Sequence, residues 1–269
     1  MIWPNCWICA ATIKIRLDSR LFQRRAVSGI RFHLCGKKRN FAAAFTKKPY
    51  KADTLETYLK TKEIYLIRHG ETDFNRQGIV QGSGVDTDLN ELGLSQARAF
   101  FNEYNHIPFA KVYTSALKRA IQSVRGFLDL GLPHEMHKGL NEISWGFREG
   151  QQITPEEDAY YHSVLSAWAA GDVTQRIDGG ESPADVQARQ KPVLDLILAR
   201  PDEEVILICM HGRAIRIFLS LMLGEPLKDM DQFDHRNLCL YKLLYDGQKL
   251  TAVLRNDTRH LESLAHLAL

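Results

Sequence analysis

Apolar residues follow two different spacings along this chain of 269 residues. Short, nearly continuous apolar runs occupy residues 63–67, 110–114, 204–210, 238–245 and 250–255, as is typical of strands. Between most of these runs apolar residues recur every three or four positions, which is the spacing of an amphipathic helix. The alternation predicts an α/β fold, a three-layer sandwich in which helices cover both faces of a mostly parallel central sheet.

Capping sequences mark where two of the helices begin. Thr-Pro-Glu-Glu opens a helix predicted for about residues 154–170, and Ser-Pro-Ala-Asp opens one for about residues 182–200. In both, a hydroxyl residue is followed by proline at the first helical position. A shorter helix is predicted for residues 214–223.

Two further helices are predicted in the first half of the chain. Residues 90–101 should form one, with its apolar face at Leu94, Ala97 and Phe101. Another should follow Ser115, whose hydroxyl could cap a free backbone N–H.

Two of the apolar runs end in the same dipeptide. Arg68, His69 and Gly70 follow the first run, and His211-Gly212 follows the third. Ligands bind at the carboxyl ends of parallel strands, and neighbouring strands lie roughly 5 Å apart. Two imidazoles could therefore face one ligand at this edge.

These residues resemble a known signature. Arg-His-Gly-Glu-Thr at residues 68–72, with Asn75 after it, is similar to the motif of the histidine phosphatase superfamily, whose fold is called phosphoglycerate-mutase-like. The resemblance runs from about residue 63 to residue 246. Four further segments match the family's order and spacing: Gln81-Gly82 with Leu89 to Gln96, Ser115 to Gln122, Leu140 to Gly146, and Met210-His211-Gly212.

The resemblance implies a chemical role for His69, which would attack phosphorus and form a phosphohistidine. Arg68 and Arg119 are suited to clamp phosphate oxygens, because a guanidinium offers a planar fork of donors. His211 would stabilise the transferring group as a second imidazole. Glu142 would protonate the leaving oxygen and then activate water.

Four more residues are expected at the site. Asn75, Gln81 and Gly82 match loop positions that touch phosphate or substrate in the family. The N–H of Gly212 begins a helix and could add a contact to an anion.

Other polar motifs look structural. His134 and His137 have the spacing of metal ligands but lack partners, and residues 234–236, Asp-His-Arg, look like a polar turn. We expect no metal and no cofactor at the site, because two arginines would repel a cation.

Charge divides the chain into two parts. Residues 1–62 hold 14 of the 35 basic residues and three of the 32 acidic ones, which leaves 21 basic and 29 acidic residues in the remainder, a net charge of −8. A nucleic-acid partner is therefore not expected for the acidic domain at 61–269. The chain also lacks the roughly 20 consecutive apolar residues that cross a membrane.

Residues 1–60 are interpreted as a basic, disordered extension. Three alternatives stay open: an organellar transit segment, a basic arm, or an extension without a folding role, which we favour. The five scattered cysteines suggest a reducing compartment, so a cytoplasmic location is expected, with organellar import as the alternative.

The favoured function is a phosphomonoesterase acting on a small phosphorylated metabolite. The alternatives are a phosphoglycerate mutase, which would need a longer insert over the site, and a non-catalytic phosphate-binding module. Arg213 departs from the small residue of many relatives and could extend the site for a more acidic substrate. The sequence leaves open which ester is bound and whether the chain forms a homodimer.

Overall fold

Six strands form one sheet in residues 61–152 and 154–267, the part of the chain that this computed structural model describes. The strands are β1 (Lys62–Arg68), β2 (Lys111–Thr114), β3 (His134–Met136), β4 (Val205–Met210), β5 (Leu240–Tyr245) and β6 (Leu250–Asp257). Their order in the sheet is β3-β2-β4-β1-β5-β6. The first four in this order run parallel, and the β5-β6 hairpin adds two antiparallel strands at one edge. The extension predicted at 1–60 lies outside the described residues.

Seven α-helices connect and flank the strands within the same described ranges. They are α1 (Asp73–Gln77), α2 (Glu91–Tyr104), α3 (Lys118–Ser123), α4 (Arg125–Asp129), α5 (Pro155–Ala170), α6 (Pro183–Leu198) and α7 (Gly212–Leu223). The predicted cap of α6 is present, since Ser182 Oγ accepts the Asp185 N–H at 3.2 Å and the Asp185 carboxylate accepts the Ser182 N–H at 2.9 Å. None of the described helices is both long enough and apolar enough to cross a bilayer.

Both faces of the sheet are covered, as alternate residues of β1 show. Ile64 and Leu66 belong to the core beneath α6 and α7, whereas Tyr65 and Ile67 belong to the core beneath α2, α3 and α4. All four side chains are almost fully buried. The predicted three-layer α/β sandwich is confirmed, and β1 is apolar on both faces because helices lie on both sides of it.

The apolar face predicted for the first long helix is correct at Phe101, which packs against Phe127, but wrong at Leu94. Leu94 is 46% exposed, whereas Phe100 is fully buried. Gly93 gives the reason, because a Cβ at this position would overlap the carbonyl oxygen of Glu71 and lie 2.8 Å from its nitrogen. This close backbone contact turns the side of α2 that bears Gly93 and Phe100 toward the sheet.

The hydroxyl of Ser115 accepts a backbone N–H as predicted, that of Leu117 at 3.2 Å, but Ser115 is not the N-cap of the helix. α3 begins only at Lys118, and Leu117 occupies the N-cap position without a side-chain hydrogen bond. The Ser115 N–H still donates to Cys209 of β4 at 3.2 Å, so this residue continues the edge of the sheet. Its hydroxyl lies 2.7 Å from Nε2 of His211.

Replacing Gly93 with alanine should lower the free energy of unfolding by roughly 2–3 kcal/mol, because the methyl group overlaps the Glu71 backbone. In an unhindered helix interior the same change would raise it by up to about 1 kcal/mol. Urea unfolding followed by circular dichroism measures the difference. Ser95→Ala on the same helix is the control and should stay within about 0.5 kcal/mol of the parent. A Gly93→Ala protein as stable as the parent would contradict the packing argument.

Candidate active site

The two strand-ending histidines meet at one edge of the sheet. β1 pairs with β4 in parallel register, with Arg68 opposite Met210, and the His69 N–H donates to the Met210 carbonyl at 2.9 Å. The ring centroids of His69 and His211 lie 5.1 Å apart. Both side chains are buried. The geometry agrees with the expectation that the two imidazoles can face one ligand.

Hydrogen bonding orients the His69 ring. Nδ1 lies 2.7 Å from the carbonyl oxygen of Gly70, which can only accept, so Nδ1 carries the ring hydrogen. Burial, followed by the nearby charges of Arg119 and Arg68, holds the pKa of His69 well below its usual value. The imidazole is therefore neutral, with the lone pair of Nε2 available for chemistry.

His211 is neutral for similar reasons. Burial lowers its pKa well below the usual value, and the charge of Arg119 and the neighbouring His69 lower it further. Nε2 of His211 forms a hydrogen bond with Ser115 Oγ, while its buried Nδ1 has no partner among the described residues.

Arg119 is fully buried under the loop that follows β1. Its Nη1 donates to the Val85 carbonyl at 2.6 Å and its Nη2 to the Gly82 carbonyl at 3.2 Å. Gly82 thus holds the guanidinium in place through its backbone oxygen. The Nε of Arg119 is buried without a partner among the described residues.

Arg68 contacts a histidine that the sequence analysis assigned to a polar turn. Its Nη1 lies 3.2 Å from His235 Nδ1, and because a guanidinium only donates, this nitrogen of His235 is the acceptor. Burial, with the charges of Arg68 and Arg216, lowers the pKa of His235 to about 2, so the ring stays neutral. The sequence offered no signal for this contact, because the two residues are 167 positions apart.

His235 also packs against the start of α7. A Cβ on Gly212 would lie 2.9 Å from Cε1 of the His235 ring, so only glycine leaves room for the ring at this distance. No group in the described part of the chain accepts the Gly212 N–H. Arg68 and the first turn of α7 are thereby held together through one imidazole.

Among the described residues, neither Arg68 nor Arg119 forms a salt bridge, and the Nε of each is buried without a partner. A buried charge is costly unless it is paired. The arrangement therefore favours an anion between the two arginines.

Glu142 joins its loop to α7. Oε1 accepts the N–H groups of Ile143 at 2.9 Å and Ala214 at 2.8 Å, and Oε2 accepts the N–H of Arg213 at 3.1 Å. A negative charge is favourable at a helix N-terminus. Each carboxylate oxygen can accept two hydrogen bonds, so Oε2 keeps one position open.

Two loop residues expected at the site, Asn75 and Gln81, form hydrogen bonds with Thr72. The side-chain oxygen of Asn75 accepts the Thr72 N–H and an N–H of Asn237, each at 3.3 Å, and Asn237 also donates to the His69 carbonyl at 3.1 Å. Gln81 donates to the Thr72 hydroxyl at 2.7 Å. Asn237, which the sequence analysis missed, connects the His69 turn to α1.

A cavity of about 350 Å³ opens beside Arg68. It is lined by Arg68, Phe74, Asn75, Gly78, Ile79, Val80, Gln81, Trp145, Arg148, Gln151 and Tyr161. The two histidines themselves do not line it. A ligand in the cavity would reach them past Arg68.

Arg213 does not extend this cavity. Its side chain is 8% exposed and pairs with Asp231, and its Nη2 donates to the Tyr161 hydroxyl at 3.4 Å. The hypothesis that this residue offers a free charge to the substrate is therefore wrong, because the guanidinium is used inside the fold.

His134 and His137 form polar contacts with residues of β2 and β3. His134 Nε2 bonds the Thr114 hydroxyl at 2.9 Å, and His137 Nε2 lies 2.9 Å from Glu135. In the described ranges no three His, Cys, Asp or Glu side chains are grouped to hold a metal ion.

Comparison with protein families gives one match over most of the chain. Residues 64–258 match the family described as histidine phosphatase superfamily (branch 1). The match covers every residue that the sequence analysis placed at the site.

The named relatives are distant in sequence, but the alignments cover nearly the whole length of each relative. The putative phosphoserine phosphatase 2 of Hydrogenobacter thermophilus is 26% identical over 204 residues, which are 76% of this chain and 99% of the relative. The probable phosphoglycerate mutase GpmB of Yersinia pestis is 30% identical over 209 residues, covering 74% of this chain and 95% of the relative.

Solved structures share the fold. A mycobacterial glucosyl-3-phosphoglycerate phosphatase is 26% identical with a TM-score of 0.64, covering 74% of this chain and 100% of that one. A putative alpha-ribazole-5'-P phosphatase from Escherichia coli is 25% identical with a TM-score of 0.65, covering 73% and 96% respectively.

Stability should fall on acidification, and the buried His69 and His211 should be among the histidines that cause this. Their folded pKa values lie below that of an unfolded histidine, about 6.5, so below this pH the unfolded chain binds more protons. Each should cost up to about 1.4 kcal/mol per pH unit as the pH falls from 6.5 toward its folded pKa. Urea unfolding at pH 7, 6 and 5 measures the slope.

His211→Gln should reduce the dependence of the unfolding free energy on pH by the contribution of one histidine, up to about 1.4 kcal/mol per pH unit. The exposed His106 is the control, and His106→Gln should keep the parent slope. Equal slopes in all three proteins would contradict a neutral, buried His211.

Phosphate affinity should depend on His235. His235→Ala removes the acceptor that orients Arg68 and should weaken binding of inorganic phosphate about tenfold, the value of one hydrogen bond to a charged group. His235→Asn retains an acceptor oxygen and should recover most of the affinity. Isothermal titration calorimetry measures both, and an alanine variant that binds as tightly as the parent would show that Arg68 is oriented without the imidazole.

Proposed function

Since the chain belongs to the histidine phosphatase superfamily (branch 1), we propose that it is a phosphomonoesterase that hydrolyses a small phosphorylated metabolite through a phosphohistidine on His69. One observation supports this most directly. Three buried side-chain nitrogens around the histidine pair have no partner among the described residues: Nε of Arg68, Nε of Arg119 and Nδ1 of His211. Buried polar atoms are almost always hydrogen-bonded. A phosphoryl group supplies the oxygens that they lack.

The first step is transfer to His69. The Nε2 lone pair attacks phosphorus, the bond from phosphorus to the ester oxygen breaks, and the leaving oxygen takes a proton from Oε2 of Glu142. Nε2 is suited to this role because the hydrogen bond to Gly70 keeps the ring hydrogen on Nδ1.

The second step returns the enzyme to its starting state. Glu142 takes a proton from water, the resulting hydroxide attacks phosphorus, and the bond between phosphorus and Nε2 breaks. Inorganic phosphate leaves, and Glu142 regains the proton that it gave up in the first step. Water is consumed and no other reactant is needed.

Positive groups stabilise the phosphoryl oxygens in both steps. Arg68 and Arg119 supply fixed charges, and the Gly212 N–H adds a donor at the start of α7. When the Ser115 hydroxyl donates to Nε2 of His211, the ring hydrogen of neutral His211 lies on Nδ1 and faces the anion as a further donor. Asn75 and Gln81 complete the side of the site that borders the cavity.

Two alternatives carry over from the sequence. A mutase would keep water from the phosphohistidine, whereas the insert after Glu142 in this chain is short, and relatives of both kinds are known by name. A non-catalytic module would lack a reacting group, whereas a candidate for each role is present. An assay with 3-phosphoglycerate distinguishes the phosphatase from the mutase, because the former releases phosphate and the latter isomerises the substrate. The expected homodimer and cytoplasmic location stay predictions.

His69→Ala should lower kcat by a factor on the order of 1,000 or more, because the nucleophile is lost. A panel of phosphorylated metabolites, assayed for phosphate release in the presence of a chelator, measures the effect. His106→Ala is the control, because this histidine is exposed and follows the carboxyl end of α2. Phosphate binding by the His69→Ala protein shows that its fold is intact. Unchanged turnover in this variant would exclude the phosphohistidine.

A further inference from the structure

The cavity beside Arg68 is lined by two chemically different groups of side chains. Arg68, Asn75 and Gln81 are polar, and Arg68 belongs to the candidate phosphate site; Phe74, Trp145 and Tyr161 are aromatic and are called the aromatic side below. The volume of about 350 Å³ lies at the lower end of the range for small-molecule sites. It is suited to a ligand with one ring beyond the phosphate.

The aromatic side is held rigid by its neighbours. Trp145 is 7% exposed, meets Tyr161 edge-on with ring centroids 5.4 Å apart, and stacks on Trp168 at 6.1 Å. Arg213 donates to the Tyr161 hydroxyl from behind. Rings that are already immobilised lose little freedom when a ligand binds.

The charges of the lining restrict the ligand further. Among the described residues that line the cavity none is a carboxylate, and Arg68 supplies a positive charge. Arg148 lies over the Tyr160 ring, 4.2 Å from its centroid. A cationic leaving group is therefore disfavoured, and a neutral, planar one gains the contact with Phe74, Trp145 and Tyr161.

We propose that the substrate is a phosphate monoester whose alcohol carries a planar apolar ring, and that this ring binds against Phe74, Trp145 and Tyr161 while the phosphate lies between Arg68 and Arg119. The proposal rests on the phosphomonoesterase activity proposed above and names its substrate class. A three-carbon acid such as 3-phosphoglycerate leaves the aromatic side of the cavity unfilled.

The test compares benzyl phosphate with ethyl phosphate. Both are esters of primary alcohols, so the ring is the principal difference between the two leaving groups. The parent protein should hydrolyse benzyl phosphate with a kcat/KM at least tenfold higher, mainly through KM. Benzylphosphonate, which cannot be hydrolysed, should inhibit at least tenfold more tightly than ethylphosphonate, so binding is measured apart from turnover.

Two variants assign the effect to the cavity. Phe74→Ala should lower the benzyl-to-ethyl ratio of kcat/KM at least fivefold, and Phe74→Leu, which keeps an apolar side chain at this half-buried position, should lower it less. Phe147→Ala is the matched control, because this phenylalanine is 78% exposed and does not line the cavity. It should leave the ratio unchanged.

The outcomes separate this inference from the activity on which it rests. Equal kcat/KM for the two esters, or a preference for 3-phosphoglycerate, would overturn the ring site while the phosphatase activity stands. If the protein hydrolyses neither ester and no phosphorylated metabolite of the panel, the proposed phosphatase activity itself is contradicted. Tighter inhibition by benzylphosphonate that Phe74→Ala abolishes would support the ring site.

Discussion

The parallel pairing of β1 with β4 is the constraint on which the site depends. Both strands are buried on both faces, and Arg68 lies opposite Met210, so His69 and His211 leave the sheet side by side. A shift of the register by one residue would turn the apolar side chains of a strand to the opposite faces. The packing of two cores therefore fixes the distance between two imidazoles, although neither imidazole contributes to that packing.

The site concentrates positive charge, and none of the carboxylates that the structure describes forms a salt bridge with Arg68 or Arg119. Burial and the two guanidinium groups keep His69 and His211 neutral, which leaves one ring nitrogen as a nucleophile. Arg68 and Arg119 form no salt bridge among the described residues, and the Nε of each is buried without a partner there. Both features favour a bound anion, because an anion pairs with the arginines and faces a neutral nitrogen. The electrostatics of the site thus suit one phosphoryl group.

Glu142 and His235 connect this centre to the helices around it. Glu142 caps α7 from the loop that also places Trp145 at the cavity, so the candidate proton donor and the aromatic side belong to one segment. His235 holds Arg68 against the first turn of α7. Arg68 and the loop that bears Trp145 are therefore joined to the same helix N-terminus, through two side chains that approach it from different loops.

The sequence by itself determined the α/β class, the succession along the chain of five of the six strands and of most helices, and the strand-ending histidines, because these follow from local spacing of apolar residues and from a motif of adjacent residues. It misplaced part of the buried face of α2, since Gly93 faces the Glu71 backbone only once α2 is packed. Only the tertiary structure decided that Ser115 bonds His211, that His235 orients Arg68 and that Glu142 caps α7. These contacts join residues 96, 167 and 72 positions apart, and packing of the whole sheet brings them together.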